Sequence, residues 1–384
     1  TRLQKFFPDP KGFRKLQGQC GALLGEGFAR AFIGNTKTPR VLTIYVGLDD
    51  DTTKLKEYIG AEGYHKDCFG YDEGMFRQSL GDFCKNGGDG GGIDNLWVLL
   101  RRQLHDGSPL NIVLNNAPTT ASLNFVAWNK AYSLCPRQTY LKKETHRLHK
   151  LENPFRHQIN KELLDEGFTN LMVHPERNND SFVGVRRVGD KHTLIHDLDT
   201  TGITFNSDEM LPVPDNVIET ATFKLCRRDY YTDEWFCTGA ICGRIHYRVH
   251  ARSYFAHGTL KHIYTTPAGD SVPTLSFDEF QPPQLFPHDA QVKFQKAIYD
   301  LYREFDEFTQ KEWTRTKSYP QVRRDSWTGG PPAHVYKWGK GKEPEGWRYF
   351  DNKLVQDLDR LWEEYSAERE EEQKDHYSLR LLDI

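Results

Sequence analysis

Methionine is scarce, with 3 in 384 residues, and cysteine is sparse at 7. The seven, Cys20, Cys68, Cys84, Cys135, Cys226, Cys237 and Cys242, are odd in number and irregularly spaced, unlike a secreted disulfide framework. A reducing intracellular compartment, cytoplasm or organelle matrix, is the expectation. Cys237 and Cys242 stand as zinc pairs sometimes do, but no second Cys/His pair follows at ribbon or finger spacing, so no metal is expected. No apolar run approaches the ~20 residues of a membrane-spanning helix, and no membrane partner is expected. Neither charge dominates. With 51 basic and 54 acidic residues the net charge is −3, which excludes a uniformly basic protein that coats nucleic acid through overall charge but leaves local patches open. The spacings H-E-x-x-H and G-x-S-x-G, the P-loop and the EF-hand loop are all missing.

Aromatic residues carry much of the apolar content: 23 Phe, 18 Tyr and 8 Trp. At ~150 residues per domain the chain makes two or three domains with at least one sizeable core. Residues 1–160 read as an α/β-like region. Val41-Leu42-Thr43-Ile44-Tyr45-Val46 and Leu110-Asn111-Ile112-Val113-Leu114 are short apolar runs with polar residues after them, as buried strands have. Asn86 to Gly92 is too rich in glycine for either element and reads as a loop or hinge. Residues 139–152 have a helical composition, ending at Pro154, and would put His146 and His149 on one face.

Residues 161–286 read as an antiparallel β region, an open sheet or a barrel-like one. The runs 182–188 and 192–196 flank Gly189-Asp190-Lys191, a hairpin signal, and three longer β-rich runs follow at 217–231, 235–256 and 259–277. Residues 287–384 read as a helix pair around a long irregular insertion, residues 315–350. Phe294, Ile298, Leu301, Phe305 and Phe308 form one apolar stripe, and Leu354, Leu358, Leu361 and Tyr365 form another. The fold class is therefore α+β.

Three patterns bear on function. Gly21, Gly25 and Gly27 have G-x-x-x-G-x-G spacing, a predicted strand ends at Asp49, and Asn115-Asn116-Ala117 closes another. In that order, over residues 18–118, they resemble the short-chain dehydrogenase/reductase pattern. The resemblance implies a nucleotide-type fold in which the glycines admit a pyrophosphate to a helix N-terminus and Asp49 holds the adenine ribose. The chain departs from it in three ways: residues 13–19 do not form a buried strand, Pro118 stands where that family has Gly, and no Tyr-x-x-x-Lys lies between 117 and 300. Asp49, Asp50 and Asp51 would bring at most two converging carboxylates to a divalent ion at the strand end, and are equally explained as helix-capping acids.

The second pattern is strict alternation in 242–252. It puts Arg244, His246, Arg248, His250 and Arg252 on one face and Gly243, Ile245, Tyr247, Val249 and Ala251 on the other. Arg227 and Arg228 on the preceding run extend the patch. Either an anionic partner or the nearby Asp229, Asp233 and Glu234 would relieve its repulsion.

The third is the 315–350 segment, with eight Lys/Arg against three acids and seven interleaved aromatics. Arg323, Arg324, Trp327, Lys337, Trp338, Lys340, Lys342 and Trp347 are its candidate contacts. Cations beside aromatic planes suit unpaired nucleic acid, a protein interface, or packing within the chain. The leading expectation is a non-catalytic structural or interaction subunit of a larger assembly, with other protein subunits as partners and RNA as a further class, as in a viral shell or an organellar ribonucleoprotein. No catalytic residue and no cofactor are assigned. The alternative is an enzyme with the nucleotide-type fold, using Gly21, Gly25, Gly27 and Asp49.

Overall fold

The computed structural model describes residues 2–47, 50–66, 79–85, 95–102, 108–148, 154–171, 184–206, 211–228, 246–255, 260–267, 289–316 and 349–382. Its strands are β1 (Leu23–Gly25), β2 (Val41–Val46), β3 (His65–Lys66), β4 (Ser79–Lys85), β5 (Leu96–Arg102), β6 (Asn124–Val126), β7 (Lys130–Ser133), β8 (Glu144–His146), β9 (Thr169–Leu171), β10 (Gly184–Arg187), β11 (Leu194–Asp197), β12 (Thr222–Arg228), β13 (His246–His250), β14 (Arg252–Phe255) and β15 (Tyr264–Thr266). Its α-helices are α1 (Pro10–Gln19), α2 (Glu26–Ile33), α3 (Asp50–Ala61), α4 (Pro109–Asn116), α5 (Pro154–Asp165), α6 (Asp215–Glu219), α7 (Asp289–Thr316) and α8 (Asp351–Leu382). The fold is α+β. No helix among the described residues is long and apolar enough to cross a membrane.

Eight strands form one open, mixed sheet in the order β11-β7-β6-β1-β2-β5-β4-β3. Among the described residues only β2 and β5 run parallel within it. A three-stranded sheet follows the order β10-β12-β13, and β14-β15 and β8-β9 make two-stranded sheets. The chain divides into two compact units. The first comprises Thr1–Val183, Val188–Pro214 and Leu225–Val249, the second Gly184–Arg187, Asp215–Lys224 and His250–Ile384.

In the first unit the large sheet buries one face in an aromatic-rich core. Leu42, Ile44 and Val46 of β2 and Val98 and Leu100 of β5 meet Phe6, Phe7, Phe13, Phe28, Leu55 and Ile59 there. Phe7 stacks on Phe13 at 4.2 Å, and Phe6 meets Phe28 edge-on at 5.9 Å. Each fully buried side chain of this size contributes ~1.5–3 kcal/mol, so this layer dominates the unit's stability. Helix α1 starts where the sequence caps it: Pro10 occupies the first turn and the Asp9 carboxylate accepts the Gly12 N–H at 3.0 Å.

In the second unit α7 and α8 pack together through the two apolar stripes. Phe294, Ile298, Leu301 and Phe305 are buried, as are Leu354, Leu358, Leu361 and Tyr365, and the Phe294 ring meets Tyr365 at 4.9 Å. The start of α8 is tied to the chain before β15. Asp351 accepts the N–H groups of Lys261 and His262 at 2.8 and 3.1 Å and the Tyr264 hydroxyl at 3.0 Å. A carboxylate at a helix N-terminus that gathers three donors is worth more than a solvated surface acid. Asp351→Ala is expected to cost about 2–3 kcal/mol in urea denaturation; a loss within about 0.5 kcal/mol would show that the clasp adds nothing.

Several sequence expectations are corrected. Residues 110–114 form the core of α4, not a strand; Ser108-Pro109 supplies the helix start, and a short, fully buried apolar run carries no period to tell helix from strand. The parallel partner of β2 is instead Leu96–Arg102. Residues 139–152 are not one helix. A π-helical turn spans Arg137–Lys142, Lys143 takes φ 54°, and β8 follows, so His146 lies on a strand; His149 lies outside the described residues. Pro154 opens α5 rather than closing a helix, as its fixed φ permits at a first helical position. The hairpin expected around Gly189-Asp190-Lys191 is absent: β10 joins the three-stranded sheet, while β11 pairs with β7 at the edge of the large one. The glycine-rich 86–92 segment lies outside the described residues, as do residues 317–348.

Candidate functional site

The sheet face opposite the main core carries polar side chains. Alternation along β2 sends Thr43 and Tyr45 there, and register across the parallel pair sets Tyr45 beside Arg101 of β5. Both residues stand one position from the carboxyl end of their strands, where open α/β sheets commonly bind ligands. Glu26 joins them from the junction of β1 with α2. Its φ of 54° is left-handed, a conformation a non-glycine residue adopts at a cost of about 1–2 kcal/mol. That turn brings its carboxylate to Thr43 and Tyr45 although α2 itself packs into the main core through Phe28. One oxygen accepts the Thr43 hydroxyl at 2.9 Å, the other the Tyr45 hydroxyl at 2.8 Å. Arg101 donates to Asp82 of β4 at 2.5 Å, and both side chains are at most 10 % exposed.

Two polar contacts, Glu26 with Thr43 and Tyr45 and Arg101 with Asp82, thus lie on neighbouring strands in a layer that is usually apolar. Burial pushes the Tyr45 phenol well up; the Glu26 charge and hydrogen bond add to this, and Arg101 partly offsets it. The phenol therefore stays a committed donor at neutral pH. Tyr264 in the second unit is likewise pushed up, first by burial and then by Asp351. Both folded values lie above the unfolded value of about 10, so the stability each phenol contributes is present below about pH 10 and lost as pH rises past it. The expected loss is about 1.4 kcal/mol per pH unit for each. In an alkaline titration, phenolate absorbance from these two should appear together with unfolding; its appearance in the folded chain near pH 10 would contradict their burial.

The three glycines expected to cradle a pyrophosphate have separate local duties. Gly21 has φ 57° in the turn after α1, and an added Cβ would stand 2.8 Å from Val213. Gly25 ends β1, where an added Cβ would meet the Tyr45 ring at 2.3 Å. Gly27 lies in the first turn of α2, with nothing nearer than the Arg30 guanidinium at 3.9 Å. Strand β1 is antiparallel to both neighbours, β2 and β6, whereas a dinucleotide fingerprint follows a parallel strand. The carboxylate of Glu26, not an open cradle, follows the glycine at the strand end. Asp49 lies outside the described residues.

The cationic strand is placed in part. His246, Arg248 and His250 belong to β13, the outer strand of its sheet among the described residues, whereas Arg252 opens β14 and pairs with Thr266 of β15. The five positions therefore do not share one strand. Val249 and Ala251, on the alternate register, are buried. Arg227 and Arg228 end β12. The side chains of these cationic residues, and all of Arg244, Arg323, Arg324, Trp327, Lys337, Trp338, Lys340, Lys342 and Trp347, lie outside the described residues. Among the described residues no group of three or more His, Cys, Asp or Glu could hold a metal ion.

Sequence reasoning missed Glu26 and Asp351. For Glu26 the available signal was an acid between two glycines directly after an apolar run; for Asp351 it was an acid at the start of the second stripe. The chain matches no protein-family model, no curated protein and no solved structure.

Proposed function

We propose that the chain is a non-catalytic interaction subunit of a larger assembly, meeting its partners through the His246–His250 strand and the 315–350 segment. The observation that supports this reading most is the burial of Val249 and Ala251. Alternation then assigns Arg248 and His250 to the other register of a strand that, among the described residues, ends its sheet. A cationic register on an outer strand also protects that edge from unwanted pairing, and an acidic surface on a neighbouring subunit would neutralise it. The polar group around Glu26 fits the same reading. Its carboxylate oxygens both hold donors from its own sheet, which rigidifies the junction of β1 with α2.

The test is charge reversal on the strand. The folded Arg248→Glu/His250→Glu chain, introduced in place of the natural one, is expected to leave the assembly and sediment as a lighter species. Sedimentation unchanged from the natural chain would remove this strand from the interface.

A further inference from the structure

Positive charge is concentrated at the start of this slightly acidic chain. Through Gly47 there are eight Lys/Arg and two acids. Both acids are engaged locally: Asp9 caps α1, and Glu26 holds Thr43 and Tyr45. The fold brings four of the cations to one place. Arg2 and Lys5, on the 3-10 turn Arg2–Lys5, reach the connection between α2 and β2, which carries Lys37 and Arg40. Arg2 donates to the Thr36 carbonyl, to Thr38 Oγ1 at 3.2 Å and to Asn35 Oδ1 at 2.7 Å. Lys5 Nζ donates to the carbonyls of Thr38 and Pro39, each at 3.1 Å. The loop is thus fastened by two of the cations while Lys5, Lys37 and Arg40 are exposed.

Like charges gathered this way repel. The Lys5 ammonium is shifted down from its ordinary value, first by partial desolvation and then by Arg40 and Lys37. An anion bound across the loop would relieve that repulsion. The surface offers little else to bind with. Leu3, Phe6, Phe7 and Phe13 beneath it are buried, and Val41, 37 % exposed beside Arg40, is the one exposed large apolar side chain among described residues 2–47. A membrane would need apolar side chains to insert, and a protein interface would want an aromatic anchor. A polymer with regularly spaced negative charge needs only the cations.

We propose that Arg2, Lys5, Lys37 and Arg40 form a docking surface for the phosphodiester backbone of a nucleic acid. This deepens the assembly reading and rests on it, since it names one partner of the subunit; the native mass of the particle tests that reading separately from the titration that follows. The surface contacts phosphates rather than bases, so binding is insensitive to sequence and steeply weakened by salt.

The experiment is a fluorescence-anisotropy titration of the full chain with a labelled oligouridylate of about 20 nucleotides, between about 50 and 200 mM salt. Lys37→Glu/Arg40→Glu changes exposed side chains and is compared with the unchanged chain at equal thermal stability. Lys37→Gln is carried beside it in case the double variant fails to fold. The double variant is expected to bind about tenfold or more weakly and to lose about 1.4 from the magnitude of the log–log salt slope, at about 0.7 per phosphate contact; Lys37→Gln should lose about half of that slope. Unchanged affinity in a folded variant would overturn the proposal. So would an unchanged chain that binds phosphatidylserine vesicles but no oligouridylate, or that binds neither.

Discussion

Arg101→Met is expected to cost the first unit about 3–5 kcal/mol, more than the loss of the Asp351 clasp. The guanidinium sits between β2 and β4 and pairs with Asp82 at 2.5 Å, with both partners nearly enclosed. Methionine matches much of the arginine stem's volume, so the loss reports the charge left on Asp82 rather than a cavity. Removing both charges is a different matter, because a buried pair must first repay its own desolvation. The double variant Asp82→Leu/Arg101→Met is therefore expected to recover most of the deficit. Urea denaturation of the three chains measures this. If Arg101→Met costs less than about 1 kcal/mol, the pair is solvated and the polar layer of the sheet is not a buried one.

Gly25→Ala is expected to cost about 2–4 kcal/mol, although alanine is the smallest possible addition. The new Cβ would stand 2.3 Å from the Tyr45 ring. That ring is only 5 % exposed and is held by its bond to Glu26, so moving it sacrifices packing and a hydrogen bond together. Gly27→Ala provides the contrast. Its site is open and helical, so alanine should stabilise the chain by about 0.5 kcal/mol through its higher helix propensity. A cofactor cradle would need both glycines for close approach. Equal destabilisation by the two substitutions would show that the backbone of this segment, and not Tyr45 alone, requires glycine.

The sequence made some elements plain because local chemistry decided them. Val41 to Val46 is rich in β-branched residues and forms a strand over the same bounds, and the stripes at 294–305 and 354–365 are buried. Elsewhere the deciding information was not local. Leu110 to Leu114 is buried on all sides, so its apolar run was compatible with either element, and only the Ser108-Pro109 start distinguishes them. The strands beside Gly189-Asp190-Lys191 have hairpin spacing, yet each finds a better partner in a different sheet. Glycine spacing near residue 21 resembled a cofactor motif because turn, close approach and helix start each favour glycine for independent reasons. The polar group was least legible of all. It requires Glu26 at a left-handed junction, Tyr45 on β2, Arg101 on β5 and Asp82 on β4, and no pattern within one segment records that convergence. The early excess of positive charge could be counted in the sequence, but its concentration on the loop before β2 depends on Arg2 and Lys5 bonding to that loop.

The most direct test of the assembly reading is the native mass of the particle in which the chain sediments when extracted from its source at physiological salt. The expected result is a particle several times heavier than one chain, shifting to a lighter species when Arg248 and His250 are reversed in charge. A chain that sediments as a lone monomer under those conditions would contradict it.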